Sequence, residues 1–313
     1  MIDQILIEQA HQRVASHIHN TPILTNSHIN DLVGAEVFFK CENFQKTGSF
    51  KARGAMNSVL QLSDEQKKKG VATHSSGNHG QALAWAAKMA GVAAYIVMPE
   101  NAPKVKVAAV KEYGAEVIFC KSTLEARETT LEKVMTEKGC TFIPPYNFDN
   151  TICGQATCAK EVFEDLQNVD FLLTPVGGGG LLSGSALSGK YFSPTTKVIG
   201  CEPELANDAY ESFHSGELQP AKEPITIADG LRTSLGDINF GYIKKHVDDI
   251  LLCSEEEIVN AQKLIWERMK IIIEPSSAVP VACLLKYKSH FAKAKIAVII
   301  SGGNVDLGNL PFS

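Results

Sequence analysis

Four successive glycines, Gly177, Gly178, Gly179 and Gly180, separate the apolar run FLLTPV from the helix-like LLSG. Backbone N–H groups in such a turn meet a ligand with no side chain between them, so the segment reads as an anion cradle. It has neither the lysine of G-x-x-x-x-G-K-[ST] nor the spacing of G-x-G-x-x-G, which favours a single phosphate over a triphosphate or pyrophosphate. SSGNHGQA, residues 75–82, is a second strand-to-helix junction, where Ser75, Ser76 and Asn78 can cap a helix or receive a carboxylate. ISGGNVD, residues 300–306, is a third. Open α/β sheets bind ligands at such strand ends. Lys51, in GSFKARGA, follows Phe50 and has no carboxylate among its near neighbours in sequence. A lysine against apolar surface has a depressed pKa and can form an imine with a carbonyl. One phosphate cradle and one reactive lysine together suggest pyridoxal phosphate.

The elements that must position these residues are legible as a pattern. From residue 70, short β-rich runs (VATHSS, VAAYIVMP, AEVIFC, TFIPPY) alternate with longer helical stretches, several ending in glycine, as in βαβ units of a parallel sheet. Residues 70–147 are expected to form a small four-stranded domain inserted into a larger one made of 1–69 and 148–313. The larger domain is marked by strands at 171–176, 197–203 and 296–304 and a helix at 255–270. The expected fold is α/β, with two open parallel-sheet domains and the active site in the cleft between them. The 313 residues are 44% hydrophobic and 21% charged with net charge −5, which gives no electrostatic footprint for nucleic acid. The N-terminus lacks the pattern of a signal peptide and no run of about 18 apolar residues occurs. A cytoplasmic protein with a small-molecule partner, no membrane span and no C-terminal regulatory domain is expected. The 8 cysteines form no C-x-x-C pair and the 9 histidines no H-E-x-x-H, so reduced structural thiols are expected and catalytic zinc is not.

In order, KTGSFKARGA, SSGNHGQA, GGGGLLSG, ADG, EPSSAV and SGGNVD resemble the fold type II pyridoxal-phosphate enzymes over essentially the whole chain, nearest the serine racemase and serine/threonine dehydratase branch. The resemblance implies that Lys51 holds the cofactor as an imine and Phe50 packs on its ring. Asn78 would bond the ring 3-oxygen, Gly177–Gly180 the phosphate, and Ser301 the pyridine nitrogen. A neutral hydroxyl there limits carbanion delocalisation and suits loss of a β-leaving group. Ser75, Ser76, Asn78 and His79 would hold the substrate carboxylate, with Arg127 steering it. Racemisation needs a second acid/base opposite Lys51. Racemases of the group place a serine where Ser76 stands, while threonine dehydratases typically carry alanine; hydroxyaspartate dehydratases also carry the serine. In CEPELANDAY the same likeness maps a divalent cation, Mg²⁺, Mn²⁺ or Ca²⁺, to Glu202, the Ala206 carbonyl and Asp208. Lys270 and Asn304 match two positions of a site for activating ATP at a homodimer interface.

The leading expectation is a serine racemase activity with β-elimination of serine to pyruvate and ammonia. The first rival is a threonine, serine or 3-hydroxyaspartate dehydratase with little racemisation. A rival from another class is a silent cofactor carrier or phosphoanion-binding regulator, against which the intact Lys51, glycine run and Ser301 argue.

Overall fold

The computed structural model describes all residues except 103, 221–223, 309 and 313, together with the side chain of 105. Ten strands are β1 (Ile23–Thr25), β2 (Glu36–Cys41), β3 (Val71–His74), β4 (Ala94–Pro99), β5 (Glu116–Cys120), β6 (Thr141–Phe142), β7 (Phe171–Pro175), β8 (Lys197–Pro203), β9 (Asp249–Cys253) and β10 (Lys295–Ile300). They form a six-stranded sheet in the order β1-β2-β10-β7-β8-β9 and a four-stranded sheet in the order β5-β4-β3-β6. All pairings are parallel except that of edge strand β1 with β2. The order places β2, from the start of the chain, directly beside β10, from its end. Their connection is therefore long-range, and the N-terminal segment cannot be read as sheet from local pattern alone.

Several expectations are corrected in detail. TFIPPY contributes only the two residues of β6, because Pro144 and Pro145 have no N–H to give a ladder. β10 stops at Ile300, which leaves Ser301 and the following glycines in irregular chain. β1, β2 and β9 are strands beyond those expected from the sequence pattern.

Hydrophobic burial fixes where the reactive junctions sit. Ala52, Ala55, Met56 and Val59, at i, i+3, i+4 and i+7 on the helix Lys51–Leu60, pack with Val71, Ile96 and Met98 of the four-stranded sheet and with the helix Asn78–Ala90. The residue before that helix is tied to the other sheet, since Phe50 N–H donates to Ser301 O at 3.0 Å and Ser49 bridges Gly302. Lys51 thus begins a helix that packs beneath one sheet and is pinned to the carboxyl end of the other. Below it, Arg53 is fully buried and donates to both oxygens of Glu42 and both of Glu161, each at 2.7 Å, while Lys40 pairs with Glu161 at 2.7 Å. Burying charge is costly without such pairing, so this quartet strongly constrains the second residue after Lys51.

Candidate active site

Lys51 Nζ lies 5.0 Å from the Phe50 ring centroid and 5.9 Å from that of Tyr146, and donates to Pro145 O at 2.8 Å. Burial pushes its pKa down to about 8, against the opposing pull of the Glu274 carboxylate. The depressed amine expected from sequence is present, but Glu274, 223 positions away, is the carboxylate that local sequence did not show.

Gly177–Gly180 are buried where β7 gives way to the helix Gly180–Phe192, and among the described residues their four N–H groups find no acceptor. Buried N–H groups are almost always paired, so this cluster suits an anion. Two of the glycines are dictated by close approach: a Cβ on Gly178 would collide with the Tyr146 ring, and Gly179 has φ +92°. Tyr146 therefore touches the glycine loop on one side and neighbours the Lys51 amine on the other, which makes the amine and the cradle walls of one crevice.

The Ser75–Asn78 junction lies on the small-sheet side. Ser75 Oγ accepts from Gly77 N–H at 3.3 Å, and the Ser76 hydroxyl has no hydrogen-bond partner among the described residues. Asn78 is more engaged than expected: its Nδ2 donates to both Glu274 oxygens, at 2.9 and 3.1 Å, and its Oδ1 accepts from Asn304 Nδ2 at 2.8 Å. His79 requires a correction. Its ring is buried, Nε2 is 2.9 Å from Ile143 O and so carries the hydrogen, and Nδ1 is a buried acceptor without a partner. Burial and the nearby Lys51 charge push its pKa down to about 3. A neutral imidazole in this tautomer cannot donate to a carboxylate, which leaves only the His79 backbone N–H for that task. Arg127, half-buried on the helix Leu124–Lys138, has a buried, unpartnered Nε and is among the charges felt by His74, the residue preceding Ser75.

Glu274 is the main residue that sequence reasoning missed. It is buried, lies over Gly302, and has its pKa pushed up to about 7, first by burial and next by Asp229. The signal was a lone acidic residue between the apolar IIIE run and a helix-starting proline. Tyr146 was also missed, because no local pattern reveals a ring lying across a loop 32 residues later. Ser301 is buried, and its hydroxyl is 3.0 Å from Ser277 Oγ.

The two other expected sites involve further residues. Glu202, ending β8, accepts from the Ala209 and Tyr210 N–H groups at 3.1 and 2.8 Å, and Asp208 accepts from Leu235 N–H at 2.7 Å. Both carboxyls are held above the usual range by burial, and no Lys or Arg pairs with either among the described residues. Also among the described residues, no three His, Cys, Asp or Glu side chains converge on one point as a metal cluster. Asn304 donates to Thr47 O at 2.8 Å as well as to Asn78, and Lys270 is exposed at the end of the helix Glu255–Met269 with φ +59°. Gly303 abuts Ile272 O, so residues 270–272 and 303–304 are neighbours.

A family model described as "Pyridoxal-phosphate dependent enzyme" matches residues 14–302, and the chain belongs to that family. Among its relatives, serine racemase of Dictyostelium discoideum is 51% identical over 309 residues, covering 97% of this chain and 95% of that one. The beta-hydroxyaspartate dehydratase of Paracoccus denitrificans is 47% identical over 304 residues, covering 97% and 96%. The crystal structure of the Dictyostelium serine racemase matches with a TM-score of 0.94 over 98% of this chain and 99% of that chain. The site suits the family's cofactor on its own terms: a depressed amine and four buried N–H groups, unpartnered among the described residues, line one crevice, and Ser301, just past β10, accepts the Phe50 N–H. All eight cysteines are unpaired and buried, and among the described residues no helix is long and apolar enough to cross a membrane.

Proposed function

We propose that this protein interconverts L- and D-serine and also eliminates the β-hydroxyl of serine, giving pyruvate and ammonia. The observation that carries the reading is Lys51, a depressed amine walled in by Phe50 and Tyr146, facing a glycine cradle in a chain 51% identical to a serine racemase. Bound pyridoxal phosphate supplies an electron sink that acidifies the Cα hydrogen of an amino acid held beside it. In this proposal Lys51 binds its aldehyde carbon, Gly177–Gly180 its phosphate, Phe50 its ring face, Asn78 its 3-oxygen and Ser301 its ring nitrogen. Ser75, Ser76, Asn78 and the His79 N–H receive the substrate carboxylate at a helix N-terminus, and Arg127 steers it there.

Lys51 takes or returns the Cα proton on one face, and about a quarter of a lysine with a pKa near 8 is neutral at about pH 7.5. Ser76 serves the opposite face; among the described residues its hydroxyl has no hydrogen-bond partner, which leaves it open to the substrate. Return of a proton from the face opposite removal inverts Cα, whereas loss of the β-hydroxyl leads through hydrolysis to the keto acid.

The catalytic cleft is proposed to lie between residues 1–69 with 148–313 and residues 70–147. Lys106, on the helix Lys104–Glu112, pairs with Asp229 at 2.6 Å, which supports a contact across its mouth. Mg²⁺, Mn²⁺ or Ca²⁺ is assigned to Glu202, Ala206 and Asp208, supported by two buried carboxylates with no cationic partner. ATP is assigned to the neighbourhood of Lys270 and Asn304, supported by the buried, unpartnered Asn43 Oδ1 and Thr47 Oγ1 close by. A homodimer is part of the same reading, supported by Phe44 and Ile272, exposed to 43% and 48% on that edge.

The test is chiral chromatography of serine, with a keto-acid assay, after incubation with L-serine. D-serine and pyruvate together are expected; pyruvate without D-serine overturns the racemase reading. The 47% identity to a beta-hydroxyaspartate dehydratase favours one second reading, elimination from 3-hydroxyaspartate. A far higher kcat/KM for that substrate, without serine racemisation, would establish it.

A further inference from the structure

The glycine run is braced from behind by a side chain that the sequence gives no reason to single out. Asn239, the third residue of the helix Asp237–His246, is fully buried, and its Nδ2 donates to Gly178 O at 2.7 Å. Gly236 N–H donates to the same oxygen at 3.2 Å. A carbonyl oxygen only accepts, so the amide nitrogen and not Oδ1 faces it. Oδ1 is left buried with no partner among the described residues, a cost that an aliphatic side chain of the same branching would avoid. Packing alone therefore does not account for an asparagine here, whereas the bond to Gly178 does.

The Gly178 carbonyl and the Gly179 N–H belong to one planar trans peptide and point in opposite directions. With the oxygen held by the helix Asp237–His246, the Gly179 N–H is directed away from that helix, and it finds no acceptor among the described residues. The glycines themselves do not enforce this. A flip of the peptide would take Gly179 from φ +92° to roughly −90°, and glycine adopts both. The flipped unit would offer an anion a carbonyl oxygen in place of an N–H. We propose that Asn239 is a positioning residue for the phosphate cradle: its amide holds the Gly178 carbonyl back and so keeps the Gly179 N–H turned toward the ligand. A donor oriented before the ligand arrives spares the cost of reorganising the loop on binding. Asn239 reaches the loop only because Gly179 lacks a side chain, since a Cβ there would lie 2.7 Å from Asn239 Cβ and 2.7 Å from Leu235 Cδ1. The inference rests on the reading that Gly177–Gly180 receive the cofactor phosphate, and the experiment separates the two.

Cofactor-free, full-length protein is titrated with pyridoxal phosphate and with pyridoxal, which carries the same aldehyde and no phosphate, and the visible imine absorbance gives both dissociation constants. The wild type is expected to bind pyridoxal phosphate far more tightly than pyridoxal. In Asn239→Leu the dissociation constant for pyridoxal phosphate is expected to rise about fivefold, as for one lost buried hydrogen bond, while that for pyridoxal stays unchanged. Ser183→Ala, which removes the 3.3 Å bond from Ser183 Oγ to Asn239 O and leaves the amide in place, is expected to change neither. Should Asn239→Leu not fold, Asn239→Ala is read the same way. With a wild type that discriminates between the two aldehydes, an equal rise for both in the Asn239 variant, or a rise for neither, overturns the role of Asn239 and leaves the cradle reading intact. A wild type that binds both aldehydes equally overturns the cradle reading and the proposal with it.

Discussion

Glu274→Gln tests the electrostatic balance around the catalytic amine. Burial lowers the Lys51 pKa from 10.5 to about 8, and the Glu274 carboxylate opposes part of that fall. At about pH 7.5 roughly a quarter of such an amine is neutral, against about one part in a thousand for an ordinary lysine. The substitution removes the one negative charge that holds Lys51 up, so its pKa should fall further, and a drop of about half a unit would make half of it neutral at that pH. The pH dependence carries a second signature. Glu274 itself titrates near 7, because burial and Asp229 raise it. Below about pH 7 the wild-type carboxyl is already protonated and matches the variant; above it the charge appears in the wild type alone. The assay is the rate at which cofactor-free protein captures pyridoxal phosphate, followed by the visible imine absorbance across pH. The wild-type midpoint is expected near 8 and the variant midpoint below it, with the two curves converging on the acid side. A wild-type midpoint near 10.5, or a variant midpoint above the wild type, would refute the reasoning.

Three further outcomes follow from particular contacts. Gly178→Ala forces the Tyr146 ring away from the loop, and overpacking of this kind, at about 1–3 kcal/mol, should weaken cofactor binding about tenfold or more, with partial recovery in Gly178→Ala/Tyr146→Ala measured by absorbance titration. Arg53→Ala leaves Glu42 buried with the Thr21 hydroxyl and no paired lysine or arginine among the described residues, and Glu161 with Lys40 and His11, and should cost about 3–5 kcal/mol in urea unfolding; an effect below about 1 kcal/mol would show that the quartet is not a structural constraint. Glu202 and Asp208 have carboxyl pKa values raised in the fold, so without a cation their contribution to stability is present at low pH and is lost as pH climbs through the raised values. Millimolar Mg²⁺ or Mn²⁺ should raise Tm and flatten that pH slope, and Glu202→Gln/Asp208→Asn should lose the metal response; an equal metal response in the double variant would exclude the site.

Chemistry that is local in sequence was legible, and chemistry that depends on distant packing was not. The glycine run, the Ser75–Asn78 turn and Lys51 each occupy a few consecutive residues with strong backbone preferences, so their type and the strand ends beneath them could be read directly. Glu274 reaches Lys51 and Asn78 only because β10 lies beside β2 and brings the start of the Pro275 helix under the Asn78 turn. His79 shows the converse: its place in the motif was readable, but its ring turns inward to Ile143 O, a choice made by the partner strand's end. Asn304, expected as a nucleotide contact, has its amide held by Thr47 O and Asn78, so it also braces the Asn78 side of the crevice. β6 shrank to two residues because Pro144 and Pro145 interrupt the ladder, and that shortening is what lets Pro145 O reach the Lys51 amine.

Two acid/base groups on opposite faces of one carbon are tested most directly by Ser76→Ala in D₂O, with L-serine and D-serine supplied separately and α-deuterium, enantiomer and pyruvate all measured. The expected result is loss of inversion in both directions, with α-deuterium exchange and pyruvate formation from L-serine retained through Lys51. Inversion that persists at the wild-type rate in Ser76→Ala would contradict the assignment.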